Sequence, residues 1–275
     1  MFVTPSLAHG AVREAVRLSS EKSDRLWDAL SRTQVGAPST YRRFGEWFRK
    51  YHGLHEQAAL LIVFGKIGRR RGAFSAFTPV FEEVEGGWDL DIRRLSMIFS
   101  PGRLEHIGLE RLPVTIAGHA LERMFQRTDS IQWLVVRDCL ASATLLLSAS
   151  VSAYITAGCK QCAVPAEKGL LVGQVVEGKL ALRTFLPERE ISPKWRMLLS
   201  DLNAFIARHK LAIETSALTP DDEAATALKA VLTSRKYNWL FEPYVRGVDS
   251  MESAWRSREP AVAVKDPAPT KSAGR

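Results

Sequence analysis

The chain has 275 residues, of which 46% are hydrophobic and 25% charged, a composition that supports a buried core and excludes wholesale disorder. Three cysteines are too few and too odd in number for a disulfide framework, and the first residues lack the basic-then-apolar order of a secretory signal, so a cytoplasmic protein is expected. The formal charge of +8 is unevenly placed: residues 1–72 hold 13 Lys/Arg against 6 Asp/Glu, while the remaining residues are nearly balanced. A local excess of that kind attracts polyanions, and RNA or DNA is the partner it suggests.

Residues 7–32 read as a helix, with Leu7, Ala11, Ala15 and Leu18 at near-helical spacing and Leu26, Trp27 and Leu30 continuing the stripe. Gly36-Ala37-Pro38 breaks it, and a second helix is expected between Ser39 as N-cap and Gly53 as stop. On that second helix Tyr41, Phe44, Trp47, Phe48 and Tyr51 share one arc, which reads as core. Arg42, Arg43, Arg49 and Lys50 occupy the other and would meet successive phosphates without reading sequence.

From Leu60 the pattern turns to strand. Leu60–Phe64 is a short apolar run, and Gly65-Lys66-Ile67-Gly68-Arg69-Arg70-Arg71-Gly72 follows it. This segment lacks the Gly-Lys-Ser/Thr ending of a phosphate-cradling P-loop, and reads as a basic loop whose Lys66, Arg69, Arg70 and Arg71 are candidate backbone contacts. Residues 74–84 and 88–99 flank Gly86-Gly87 as a hairpin, and Val114–Ile116 forms one more short strand. A helix is expected from His119 to Arg127 and another from Asp129, which has capping-box spacing to Gln132.

Cys139 to Gly158 carries no charged residue and is about long enough to span a bilayer, but its serines favour a buried core helix; no membrane association is expected. Residues 170–176 and 179–186 flank Glu177-Gly178 as a second hairpin, residues 194–212 and 220–237 look helical, and the residues from 256 onward have a disordered composition. The order of elements predicts an α+β fold, a central antiparallel sheet with packed helices. Its expected parts are a basic helical N-terminal region (1–57), a central α+β domain (58–190), a helical C-terminal region (191–255) and a disordered tail (256–275).

One short segment combines groups that do chemistry. At about 100° per residue, His119, Arg123 and Arg127 fall in one polar arc with Glu122 and Gln126, and Leu121, Met124 and Phe125 lie opposite. The helix dipole at His119 favours an uncharged imidazole able to act as a base, and two arginines at successive turns can hold a phosphodiester. That is the equipment of a metal-independent ribonuclease, in which a base activates the ribose 2′-hydroxyl and cations stabilise charge at phosphorus. The alternative is a solvent-facing surface with local Glu–Arg pairing.

The pattern His119-Ala120-x-x-Arg123-x-x-x-Arg127, followed by a second helix and then strands, resembles small bacterial ribonuclease toxins of the RelE-like and BrnT-like group over about 25 residues. The resemblance implies a site of His119, Arg123 and Arg127, completed from the sheet by Arg183 or Thr184 in Leu182-Arg183-Thr184-Phe185. This chain is far longer than those toxins. Cys159-Lys160-Gln161-Cys162 has no second Cys or His pair at zinc-finger spacing, and neither a Ser/His/Asp signature nor a GxGxxG is present. No metal and no cofactor is expected. Two functional readings follow, a nucleic-acid-associated protein with ribonuclease-like chemistry, or a non-catalytic scaffold that binds nucleic acid or protein.

Overall fold

The computed structural model describes residues 3–32, 59–67, 71–100, 103–219 and 223–243. The fold is α+β, a seven-stranded, mostly antiparallel sheet with helices preceding and following it. The expected 39–53 helix with Arg42, Arg43, Arg49 and Lys50, the loop residues Arg69 and Arg70, and the 256–275 tail lie outside the described residues.

Helix α1 spans Pro5–Arg32. Thr4 caps it, its hydroxyl accepting from the Leu7 amide at 3.4 Å, and Pro5 occupies the first turn, where its missing N–H costs nothing. Ala8, Ala11, Val12 and Ala15 recur at three- and four-residue intervals and are buried, while Arg17 pairs with Glu14 and Glu21 on the opposite, solvent side.

Strands β1 (Leu61–Ile67), β2 (Arg71–Val84), β3 (Gly87–Ser100) and β4 (Arg103–Ile116) form an antiparallel meander. The short strand expected at 114–116 is thus the end of a fourteen-residue one. Its first half escapes an alternation test because Ile107 and Leu109 are more than half exposed, on the opposite side from His106, Gly108 and Glu110.

Helix α2 (Gly118–Thr128) leaves the end of β4 and is followed by α3 (Trp133–Ala157). Asp129, expected to open α3, instead adopts a left-handed backbone (φ 57°) and closes α2. Helix α3 is long and apolar enough to cross a membrane by length and composition, and Val136, Leu140, Leu147 and Tyr154 are among its residues buried in the core. Gly158, at φ 76°, terminates it.

The hairpins continue with β5 (Gln161–Ala166), which the sequence pattern did not reveal, then β6 (Gly169–Val176) and β7 (Lys179–Pro187). Glu177 (φ 50°) and Gly178 (φ 73°) make the two-residue turn with positive φ at both centres that suits the strand twist. The sheet order is β1-β2-β3-β4-β7-β6-β5, and β4 and β7 pair in parallel, the chain between them running through α2, α3, β5 and β6.

A 3-10 turn (Glu188–Glu190) leads to α4 (Pro193–Arg208), α5 (Lys210–Leu218), α6 (Glu223–Leu232) and a 3-10 segment (Arg235–Phe241). The helix expected over 194–212 is broken at His209, which caps one helix and starts the next. The main core unites Val12 of α1, Phe77 and Ile92 of the sheet, Leu140 of α3, Leu228 of α6 and Tyr237. One polar group inside it is partnered twice: the Tyr154 hydroxyl donates to the Ala163 carbonyl (2.8 Å) and accepts from its amide (3.1 Å). A second cluster, Phe74, Ala76, Leu95, Met97 and Phe99, lies on the other face of β2 and β3, since neighbours along a strand point to opposite sides.

Candidate functional site

The start of α2 is fixed from the sheet rather than from its own sequence. No side chain at Ala117 caps it; Asp89 of β3 accepts from the Gly118 amide at 3.0 Å. Gly118 is required there because a Cβ would sit 2.4 Å from the Trp88 carbonyl oxygen. The Ala117 amide donates to the Leu182 carbonyl of β7 at 2.8 Å, so the helix begins beside that strand. Ala120, Leu121, Met124 and Phe125 are buried beneath it, which turns the polar arc outward as the spacing predicts.

His119 is exposed, while Arg123 and Arg127 are half-buried. Arg123 makes a long contact from Nε to His119 Nε2 (3.5 Å), with that ring nitrogen as acceptor, and its Nη1 lies 3.4 Å from Gln126 Oε1. Arg127 Nη1 pairs with Glu190 Oε1 at 2.7 Å, and Arg189 approaches the same carboxylate at 3.7 Å. Burial pushes the Arg127 guanidinium down from its ordinary value; Glu190 opposes this, while Arg123 and Arg189 reinforce it. Its Nε is buried with no hydrogen-bond partner among the described residues. Two guanidinium groups therefore meet one carboxylate, and Arg123 adds a third positive charge that acts on Arg127, an arrangement that favours an additional anion.

Glu122, on the same helix, is engaged from another direction: His9 Nδ1 of α1 lies 2.8 Å from its Oε1 and ties the two helices together. Sequence reading missed His9, Arg189 and Glu190, which are distant in the chain and carry no local pattern.

Arg183 and Thr184 lie on β7 next to the start of α2. Val172 of β6 pairs with Thr184 and Gly173 with Leu182, so Arg183 is the unmatched residue of a β-bulge. The bulge shifts the strand's phase: Leu180 and Leu182 are buried before it, Phe185 and Pro187 after it, and Arg183 is left exposed. Gly173 makes the close approach possible, since a Cβ there would lie 1.9 Å from the Ala181 carbonyl oxygen. The backbone thus sets His119 and Arg183 in one neighbourhood at the N-terminal end of α2, with Arg127 near Glu190 at the other.

Lys66 and Arg71 sit at the facing ends of β1 and β2, away from α2. Cys139, Cys159 and Cys162 are all buried free thiols, and desolvation pushes Cys159 up to about 11 and Cys162 higher still, which disfavours the thiolate that redox chemistry or zinc requires. Among the described residues no group of three or more His, Cys, Asp or Glu is placed to hold a metal ion. No family model matches this chain, and no curated protein or solved structure matches it significantly.

Proposed function

We propose that this chain is a nucleic-acid-binding protein that grips the phosphodiester backbone of RNA on the polar face of α2. The observation that carries this reading is the pairing of Arg127 and Arg189 with the single carboxylate of Glu190, with the Arg123 charge acting on Arg127 from the same helix face. A phosphate entering that cluster relieves guanidinium repulsion and offers an acceptor to the buried Arg127 Nε. The basic N-terminal quarter of the chain adds a sequence-independent attraction that brings RNA to the surface.

The test is fluorescence anisotropy with a labelled single-stranded RNA at low salt. Arg123→Ala, which removes one phosphate contact, is expected to weaken binding by about fivefold. Equal affinity for wild type and variant would remove α2 from the binding surface.

A ribonuclease is the second reading, favoured by the bulge that presents Arg183 beside the helix end carrying His119, and it is the chemistry that the toxin resemblance implies. His119 would take the proton of the ribose 2′-hydroxyl, whose oxygen attacks the neighbouring phosphorus. Arg123 and Arg127 would stabilise the added charge, Arg183 or Thr184 would complete the site, and the departing 5′ oxygen would take a proton from solvent. Incubation of RNA with wild type and His119→Ala in a chelator separates the two readings. Cleavage by wild type alone, leaving a cyclic phosphate end, supports catalysis, and equal products from both proteins rule out His119 as the base.

A further inference from the structure

The end of the sheet remote from α2 carries a second group of cations that the α2 site does not use. Gly72 pairs with Phe99, Ile67 with Arg71, and Ser100 with Arg103, so Arg71, Ser100 and Arg103 stand in one row across β2, β3 and β4. Residues in register share a face, and two strand spacings separate the two arginines by about 10 Å at the backbone. A bulge in β4, where Ile98 pairs with His106 but Phe99 with Leu104, leaves Glu105 unmatched; its carboxylate holds Arg71 Nε at 2.9 Å. His106 lies down along its own strand: a Cβ on Gly108 would be 2.7 Å from His106 Nε2 and 2.9 Å from Ser96 Oγ. Glycine is what leaves room for the ring.

Arg71, Ile98, Arg103, Glu105 and His106 line an open cavity of about 500 Å³. It lies on the face of β2 and β3 that bears Phe77 and the main core. Helix α5 ends at Leu218, over Gly65 of β1, two register pairs short of Arg71. The cavity thus combines two guanidinium groups, one imidazole and one carboxylate already engaged with Arg71, a net positive concavity of ligand-binding size.

We infer that this cavity is a second phosphate subsite for the same RNA strand, with Arg71 and Arg103 as cationic contacts, His106 as a hydrogen-bonding side chain and Glu105 as the residue that positions Arg71. The inference rests on the RNA-binding reading of α2, and the subsite sits roughly 40 Å along β3 from the start of that helix.

The full chain is titrated with a labelled single-stranded 20-nucleotide RNA across a salt series, as wild type, as Arg103→Ala/His106→Ala and as Arg123→Ala. Both substituted residues of the double variant are exposed, and thermal unfolding checks that it retains the wild-type Tm. The subsite predicts that the double variant binds about tenfold more weakly, with a shallower salt dependence. A double variant that matches wild type in affinity and slope overturns the subsite, whatever Arg123→Ala does. If the double variant is weakened and Arg123→Ala is not, the subsite stands and the α2 reading falls. If wild type fails to bind RNA at low salt, both fall.

Discussion

The polar face of α2 and the remote end of the sheet present arginines in opposite ways. On α2, Arg123 and Arg127 stand on consecutive turns of one rod, and Arg127 is pinned to Glu190 and partly buried. At the sheet end, Arg71 and Arg103 come from strands brought together only by register, and both are exposed. The first surface is carried by one helix; the second depends on the β4 bulge at Glu105 and on Gly108 being where they are. Pinning lowers the ordering cost of Arg127 but shares its charge with a carboxylate, whereas Arg103 keeps its charge and pays more entropy when it orders.

Substitution of single glycines separates the two regions most strongly. Gly173→Ala drives a Cβ into the backbone of Ala181 beside the Arg183 bulge, where nothing can rotate away. A loss of about 3 kcal/mol is expected by denaturant unfolding, with α2 loosened because the same strand anchors its start. A variant as stable as wild type would mean that the bulge is not held as described.

Oligonucleotide length tests the distance between the two regions. A single strand must be long enough to cover the roughly 40 Å along β3 before it can reach from one to the other. Affinity is expected to rise by at least about tenfold once that length is passed, because the second contact becomes intramolecular. A smooth rise with no step would indicate two surfaces that never share one strand.

The smallest expected effect is Gly108→Ala. Its Cβ would meet only the side chains of His106 and Ser96, so a cost below about 1 kcal/mol is expected, together with a roughly twofold loss of RNA affinity as the imidazole is displaced. Unchanged affinity would remove His106 from the subsite. The two substitutions, identical in chemistry, thus separate a backbone requirement from a side-chain one.

The same contrast explains what was legible in the sequence. The α2 arc is visible because nine contiguous residues carry both its apolar and its polar faces, and helical geometry alone assigns them. The Glu177-Gly178 hairpin was equally readable, since its turn chemistry is local. The sheet-end cavity was not, because Arg71 and His106 meet only through three strands in register and a bulge. Strand β4 hid it further: Ile107 and Leu109 sit exposed where alternation would place polar groups. Asp129 misled for a related reason, since a residue with N-cap chemistry also suits the left-handed position that ends a helix. The carboxylate that organises the α2 cluster, Glu190, lies beyond four strands and helices in the chain, where no periodicity reaches.

Everything proposed for α2 and the sheet end requires that this surface take a polyphosphate backbone at all. The decisive measurement is the salt dependence of wild-type binding to single-stranded RNA between about 50 and 200 mM. Affinity is predicted to fall along a straight line of log K against log salt, with a slope near −0.7 for each phosphate engaged. Binding that is absent at the lowest salt, or indifferent to salt throughout, would contradict it.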